Sequence, residues 1–346
     1  MQSKADILTR LKADLAKTLN GQSSVEGTFN SDLLQANSVE FEKAYAELSL
    51  AMEANFADTS WGEYLTMRAK EFGVIRKDAT NAIGKLTVKG TAGSKIIAGS
   101  LFATHQDMKF YSISDAMISI NGTIEIDIKS GTPGAIGNVE AGTIINIPYS
   151  IPGVTSIINA SATYDGYEEE TDKELLERYL LKVRTPATSG NKYHYLQWAT
   201  AVEGVGQAKI LPLWNGAGTV KVIIVNAENE TASQDLIDKV KSYIEDYRPI
   251  GADVTVTSPA PKLIDITADI RGTYDLARIK ASINSYFKSN GFDMTYVSIA
   301  QIGKILLDAG TIKDYDNLLI NGQTENISLT TEEIPAAGEV VLNVLA

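Results

Sequence analysis

Apolar residues recur every three or four positions at the start of this chain and every two positions further on, and one kind of backbone cannot serve both spacings. Leu8, Leu11, Leu15 and Leu19 line one face of a predicted helix, and Phe41, Tyr45, Leu48, Met52 and Phe56 form the stripe of a second. Between Ile83 and Thr163 the period changes to two. There Ile124, Ile126 and Ile128 alternate with Glu125 and Asp127, so one face is buried and the other wet. Glycines at 84, 90, 93, 99, 122, 131, 134, 137 and 142 cut this stretch into short strands, as in a compact all-β domain.

Local punctuation refines the plan. Asn20-Gly21 supplies a left-handed stop for the first helix, and the polar residues 21–30 read as an extended linker. Ser60 and Glu63 fit a capping box for a third helix ending near Phe72-Gly73. The acidic run 164–170 marks a boundary, with Thr171 and Glu174 as a second capping box for a helix that stops before Pro186. A helix over 191–201 precedes two strands, 207–213 and 219–225, whose connection contains Asn215-Gly216, a hairpin signal. A helix through Leu236, Val240 and Ile244 then leads to a strand at 253–257. Pro259-Ala260-Pro261 reads as a stiff linker, followed by a strand at 263–270, helices at 276–290 and 298–309, and strand segments over 311–345. The expected fold class is multidomain α+β: N-terminal helices (1–72), a small all-β domain (73–163) and two α+β sandwich-like domains (164–258 and 259–346).

Three amphipathic helices make a thin core alone, so their stripes are expected to pack on other chains or on the next domain. Chemistry is harder to place. The sequence has two histidines and no cysteine, which disfavours a zinc site. His194, between Tyr193 and Tyr195, has no nucleophile motif beside it, and His105 reads as an exposed turn residue. Asp314-Tyr315-Asp316-Asn317 begins like a calcium loop but lacks its glycine and its bidentate glutamate. The glycines at 131–137 lack the Lys-Ser/Thr end of a phosphate loop. Glu168, Glu169 and Glu170 read as a solvated helix N-terminus rather than paired catalytic carboxylates. No catalytic, cofactor or metal site is therefore expected.

Formal net charge is −12, and no stretch clusters Lys and Arg, which argues against nucleic-acid binding. No run approaches the roughly 18 apolar residues of a membrane helix, so no membrane insertion is expected. Mixed charge over residues 1–14 leaves no apolar segment for a secretory signal, and synthesis in the bacterial cytoplasm is the expectation.

Several runs of residues taken in order resemble the baseplate J-like family of contractile phage tails and tail-derived bacteriocins. In the β-domain these are residues 84–93, Ile97 to Phe102, Phe110, and the segment holding Gly137, Asn138 and Gly142. Further on come Asp165-Gly166, Thr171-Asp172, and residues 185–191 with Pro186 and Gly190. Trp198-Ala199, Gly204 and Gly206, and the run from Leu211 through Pro212, Gly216 and Gly218 follow, and the pattern closes on Arg248-Pro249-Ile250-Gly251-Ala252. The motif positions read as fold punctuation: glycine where a turn has no room for Cβ, proline at rigid corners. The resemblance implies a non-enzymatic structural subunit of the baseplate wedge ring, assembled in a released particle and transmitting rearrangement to sheath contraction. Implied partners are other copies of the chain and other wedge, hub and sheath-adjacent proteins, with subunits pairing through helical and C-terminal regions. The alternative, favoured by the 15 tyrosines and the β-domain, is a tail-fibre protein recognising a cell-surface saccharide.

Overall fold

The structure is a computed structural model that describes residues 2–18, 25–309 and 312–345. It is multidomain α+β and divides into two compact units: Met1–Arg76 with Thr171–Val183, and Lys77–Glu170 with Arg184–Ala346. Among the described residues, no helix is long and apolar enough to cross a membrane.

The first unit holds α1 (Lys4–Thr18), α2 (Phe29–Ala54), α3 (Gly62–Lys70) and α4 (Asp172–Arg184). α1 packs on α2. Thr28 caps α2 by accepting from the Ser31 amide at 3.3 Å, so the last two residues of the expected linker are helical. Its residues 21–24, the Asn20-Gly21 stop and Leu19 lie outside the described residues. α3 and α4 build a separate small core from Leu65, Ala69, Val74, Leu175 and Tyr179, with Phe72 edge-on to Tyr179 at 5.4 Å between centroids.

The expected Ser60–Glu63 box does not form. α3 starts at Gly62, in left-handed backbone (φ +50°), with no side-chain cap from its own sequence. The Gly62 amide is taken instead by Asp172 Oδ2 at the head of α4, 2.8 Å away. A tertiary contact therefore replaces the local cap. By contrast, Thr171 and Glu174 cap α4 reciprocally, with the Thr171 amide donating to Glu174 Oε2 at 2.9 Å.

The second unit opens with β1 (Asn81–Gly90), β2 (Lys95–Ile96), β3 (Leu101–Thr104), β4 (Lys109–Ser112), β5 (Ala116–Met117), β6 (Thr123–Pro133), β7 (Ile144–Asn146) and β8 (Val154–Ile158). Six of them form an antiparallel sheet in the order β7-β3-β4-β6-β1-β8, while β2 and β5 pair apart. The period of two is visible as Leu86, Val88, Ile126 and Ile128 pointing into the core with Phe102, Phe110, Ile144 and Ile157. The sheet nearly closes into a barrel, because Asn159, wholly buried just after β8, stitches one edge to the other. Its Oδ1 accepts from the Ile144 amide at the start of β7 (2.8 Å), and its Nδ2 donates to the carbonyls of Glu140 and Ser161 (2.9 Å each).

Next come α5 (Lys192–Ala201), β9 (Val205–Pro212), β10 (Thr219–Asn226), α6 (Gln234–Tyr247) and β11 (Asp253–Thr257). β9 and β10 form the expected hairpin, and β11 joins parallel to β10 across α6. Tyr195, Ala199, Leu236, Val240 and Ile244 cover one face of the sheet through Val222 and Ile224. The other face, Ile223 and Val225, is covered by Phe292 and Ile334 from the last domain.

That domain holds β12 (Ala260–Gly272), α7 (Leu276–Asn290), β13 (Tyr296–Val297), α8 (Ile299–Asp308), β14 (Ile312–Ile320), β15 (Ile327–Ser328) and β16 (Glu333–Val344). β12 is central, antiparallel to β14 and parallel to β16, with α7 and α8 on one face over Ile264, Ile266, Ile270 and Leu342. β12 starts inside the expected Pro259-Ala260-Pro261 linker: Ala260 donates its amide to the Glu332 carbonyl at 2.8 Å, and Pro261 pairs with Ile334. Proline is tolerated there because it stands near the beginning of the strand.

Candidate assembly surfaces

α1 and α2 bury little between them. Among their described residues the buried side chains are Ile7, Ser31 and Ser38. Leu8, Leu11 and Leu15 are half-buried. The apolar positions of α2 part company: Tyr45 is half-buried and its hydroxyl accepts from Arg10 of α1 at 3.4 Å, whereas Phe41, Leu48 and Met52 are exposed, as is Phe56 just past the helix. A 26-residue helix is about 39 Å long. α2 thus carries an apolar stripe, offset from its α1-facing side, that stays uncovered among the described residues of the first unit.

In the second unit the acidic run at 164–170 is only partly solvated: Glu168 and Glu169 are exposed as expected, while Asp165 and Glu170 are buried at a junction. Asp165 is buried in left-handed backbone (φ +61°). Its carboxylate accepts from the Tyr167 hydroxyl and from Ser233 at the head of α6, both at 2.7 Å, and its carbonyl accepts from Thr80 at 2.6 Å. Burial and the Asp165 carboxylate push the Tyr167 hydroxyl well above the usual phenol range, so it stays a donor. Tyr164, burial again the largest cause and Asp235 the next, is pushed up to about 12. Glu170, expected to be solvated, is buried and accepts the Lys77 amide at 3.0 Å, while Glu168 accepts the Ala135 amide at 2.9 Å. A run of three glutamates gives no sign of this, since the partners are about thirty to ninety residues away in sequence.

The motif positions fall on turns and close approaches. Asn138 exchanges two hydrogen bonds with Gly166 (2.8 and 2.9 Å), and the buried Gly137 stands where a Cβ would meet Ser130 and Ala82. Gly142 donates to the Asn159 carbonyl at 2.7 Å. A Cβ on Gly204 would meet the Tyr167 ring, and one on Gly206 the Asn226 carbonyl. Around one end of the β9–β10 sheet three turns converge. Pro186 accepts from Asn191 at 2.6 Å, Pro249 fills the space a Cβ on Gly190 would need, and the Asp253 amide donates to Gly218 at 2.8 Å beside Gly251. Pro212 ends β9, and Gly216 stands in the connecting turn.

His194 Nδ1 accepts from the Gly190 amide at 3.0 Å and its ring stacks on Trp198 at 4.9 Å, which accounts for it as a packing residue. His105 lies exposed on the rim of an open groove of about 940 Å³ at the barrel end, floored by Met108, Tyr111 and Val139 with Ile136 and Ile145 exposed in it. Among the described residues, no group of three or more His, Asp or Glu side chains is arranged to hold a metal ion.

Three family models match the chain in order: the baseplate J-like protein barrel domain over residues 85–166, the central domain over 187–258 and the C-terminal domain over 264–343. The phage-like element PBSX protein XkdT of Bacillus subtilis (strain 168) is 37% identical over 329 residues, 91% of each chain. The baseplate protein gp47 of Escherichia phage Mu is 32% identical over 211 residues, 56% of this chain and 58% of that one. A solved baseplate of the anti-feeding prophage aligns over 97% of this chain and 90% of its own at 12% identity, with a TM-score of 0.37, too slight a likeness to add to this.

Proposed function

This chain belongs to the baseplate J-like family, and on that premise we propose that it is a wedge subunit of a contractile-tail baseplate. In this reading it passes baseplate rearrangement on to the sheath and catalyses nothing. It meets other baseplate proteins, further copies of itself included, through its N-terminal helices. The observation that carries the proposal is the match, in order, to the baseplate J-like barrel, central and C-terminal domains, together with the uncovered stripe of Phe41, Leu48 and Met52 on α2. An apolar stripe left bare on a long helix is costly unless another surface covers it. The motif glycines and prolines serve as turn and packing residues in this reading, and the segments 1–72, 73–163, 164–258 and 259–346 as its working domains.

The structure shapes the test. Deleting the N-terminal segment as far as Asp78 would strip α3 from α4 and bare Leu175 and Tyr179. A chain beginning at Phe56 removes α1 and α2 but keeps that core. It is expected to stay soluble, with the thermal transition of the remaining domains in place, and to be missing from tail particles made in cells that lack the full chain. Normal particles containing the shortened chain would overturn the assembly role of the helices.

A further inference from the structure

An asparagine followed by glycine can react with its own backbone. The glycine nitrogen closes a five-membered ring on the asparagine side-chain carbon, and a residue without Cβ leaves that approach open. Such pairs stand at 20–21, 121–122, 215–216, 290–291 and 321–322, the first of them outside the described residues. The other four differ in how firmly the two reacting groups are held. Asn321 is locked: its Oδ1 accepts from the Asp265 amide at 2.7 Å and its Nδ2 donates to the Leu263 carbonyl at 3.1 Å. Asn290 ends α7, where its Nδ2 donates to the Tyr286 carbonyl at 3.0 Å. There the amide of the buried Gly291 is spent on the Phe287 carbonyl, the last turn of the helix. Asn121 has an exposed side chain with no hydrogen bond among the described residues, but its reacting nitrogen is engaged, since the Gly122 amide donates to the Ser119 carbonyl at 2.9 Å.

Asn215, in the turn that joins β9 to β10, is held least where it matters. Its side chain is exposed and makes no hydrogen bond among the described residues. The Gly216 amide reaches the Leu213 carbonyl at a long 3.3 Å, and nothing lies within 4 Å of where a Cβ on Gly216 would stand. The closer bonds of this turn fall on other atoms: the Asn215 amide donates to Thr219 Oγ1 at 3.0 Å, and Thr219 Oγ1 to the Gly216 carbonyl at 2.7 Å. We propose that Asn215 is a self-modification site of the folded chain. The Gly216 nitrogen bonds to Asn215 Cγ, the side-chain nitrogen leaves as ammonia carrying the proton that Gly216 gives up, and a succinimide results. Water then adds at one of the two ring carbonyls, leaving aspartate or isoaspartate at position 215. Either product puts a carboxylate into residues 213–218, none of which is charged, and isoaspartate lengthens the main chain of the hairpin turn by one methylene.

The test uses the purified full chain, incubated warm in mildly alkaline buffer, with a second sample kept unfolded in guanidinium chloride. Peptides covering the four described pairs are followed over time by mass spectrometry for the mass gain of amide-to-acid exchange, and electron-transfer fragmentation separates aspartate from isoaspartate. In the folded chain Asn215 is expected to convert several-fold faster than Asn121, while Asn290 and Asn321 keep their amides. In the unfolded sample the four rates are expected to converge, because the same Asn-Gly chemistry then acts without the hydrogen bonds that separate them. An Asn215 that keeps its amide in the folded chain, another described pair that converts as fast as Asn215 there, or a spread of rates that is as wide in denaturant would each overturn the proposal. None of these outcomes depends on whether the protein serves in a baseplate.

Discussion

Asn159 shows how much one side chain can carry. It is wholly buried, and its amide satisfies three backbone groups on the two edges of the barrel sheet. Replacing it with alanine leaves the Ile144 amide and the Glu140 and Ser161 carbonyls without partners in a site closed to solvent. Each buried group so orphaned costs on the order of 1–3 kcal/mol, with partial relief by relaxation. Asn159→Ala is therefore expected to lower stability by about 2–4 kcal/mol, read as a lower urea midpoint. Asn138→Ala, which breaks two bonds at an exposed position, is expected to cost about 1 kcal/mol. Equal midpoints for the two variants would contradict the role given to Asn159. Nothing in the sequence singles out Asn159, because an asparagine after a strand reads as a turn, and only the fold brings Glu140, Ile144 and Ser161 around it. The burial of Asp165 and Glu170 is hidden for the same reason, since their partners, Ser233 and Lys77 among them, are distant in sequence. The family motifs, in contrast, were legible as punctuation because left-handed backbone leaves a compositional mark at Gly204, Gly216, Gly218 and Gly251.

At the scale of elements, helices announced themselves through spacing, while their ends obeyed tertiary contacts. The α3 start is the plain case: Asp172 of α4 accepts the Gly62 amide at 2.8 Å and pairs with Arg76 at 2.5 Å. The amide of Gly62 first, then Arg76, holds the Asp172 carboxyl below the ordinary aspartate range. A depressed folded value means that the stabilisation is complete above the unfolded pKa, about 3.9, and is lost as pH falls through the folded value. Since the Asp172 side chain is 44% exposed, solvent screening limits the effect to about 0.5–1 kcal/mol. Asp172→Asn is expected to lower the melting temperature at pH 7, and its deficit relative to the parent chain is expected to shrink as pH falls through the folded value. A deficit that stays unchanged through the whole acid range over which the chain remains folded would show that the carboxylate charge contributes nothing. Strands followed the same logic. The β9–β10 hairpin was legible from alternation and Asn215-Gly216, whereas the start of β12 was hidden because Pro261 looks like a linker until β16 pairs with it.

For the whole molecule, the division into helical, all-β and α+β parts followed from periodicity, but the company each helix keeps did not. α4 lies more than a hundred residues from α3 in sequence and shares its core; both are amphipathic, and amphipathicity does not name a partner. The outer face of the β9–β10 sheet is covered in the same long-range way, by Phe292 and Ile334, with Lys221 reaching Glu332 at 2.7 Å. After these pairings the α2 stripe remains bare, and that residue of uncovered apolar surface, joined to family membership, is the basis for reading the chain as an assembly subunit. Electron cryo-microscopy of the intact tail particle tests this most directly. Density for this chain is expected in the baseplate, with Phe41, Leu48 and Met52 of α2 packed against another polypeptide. Density for the chain only outside the baseplate, or a baseplate copy in which that face of α2 meets solvent alone, would contradict it.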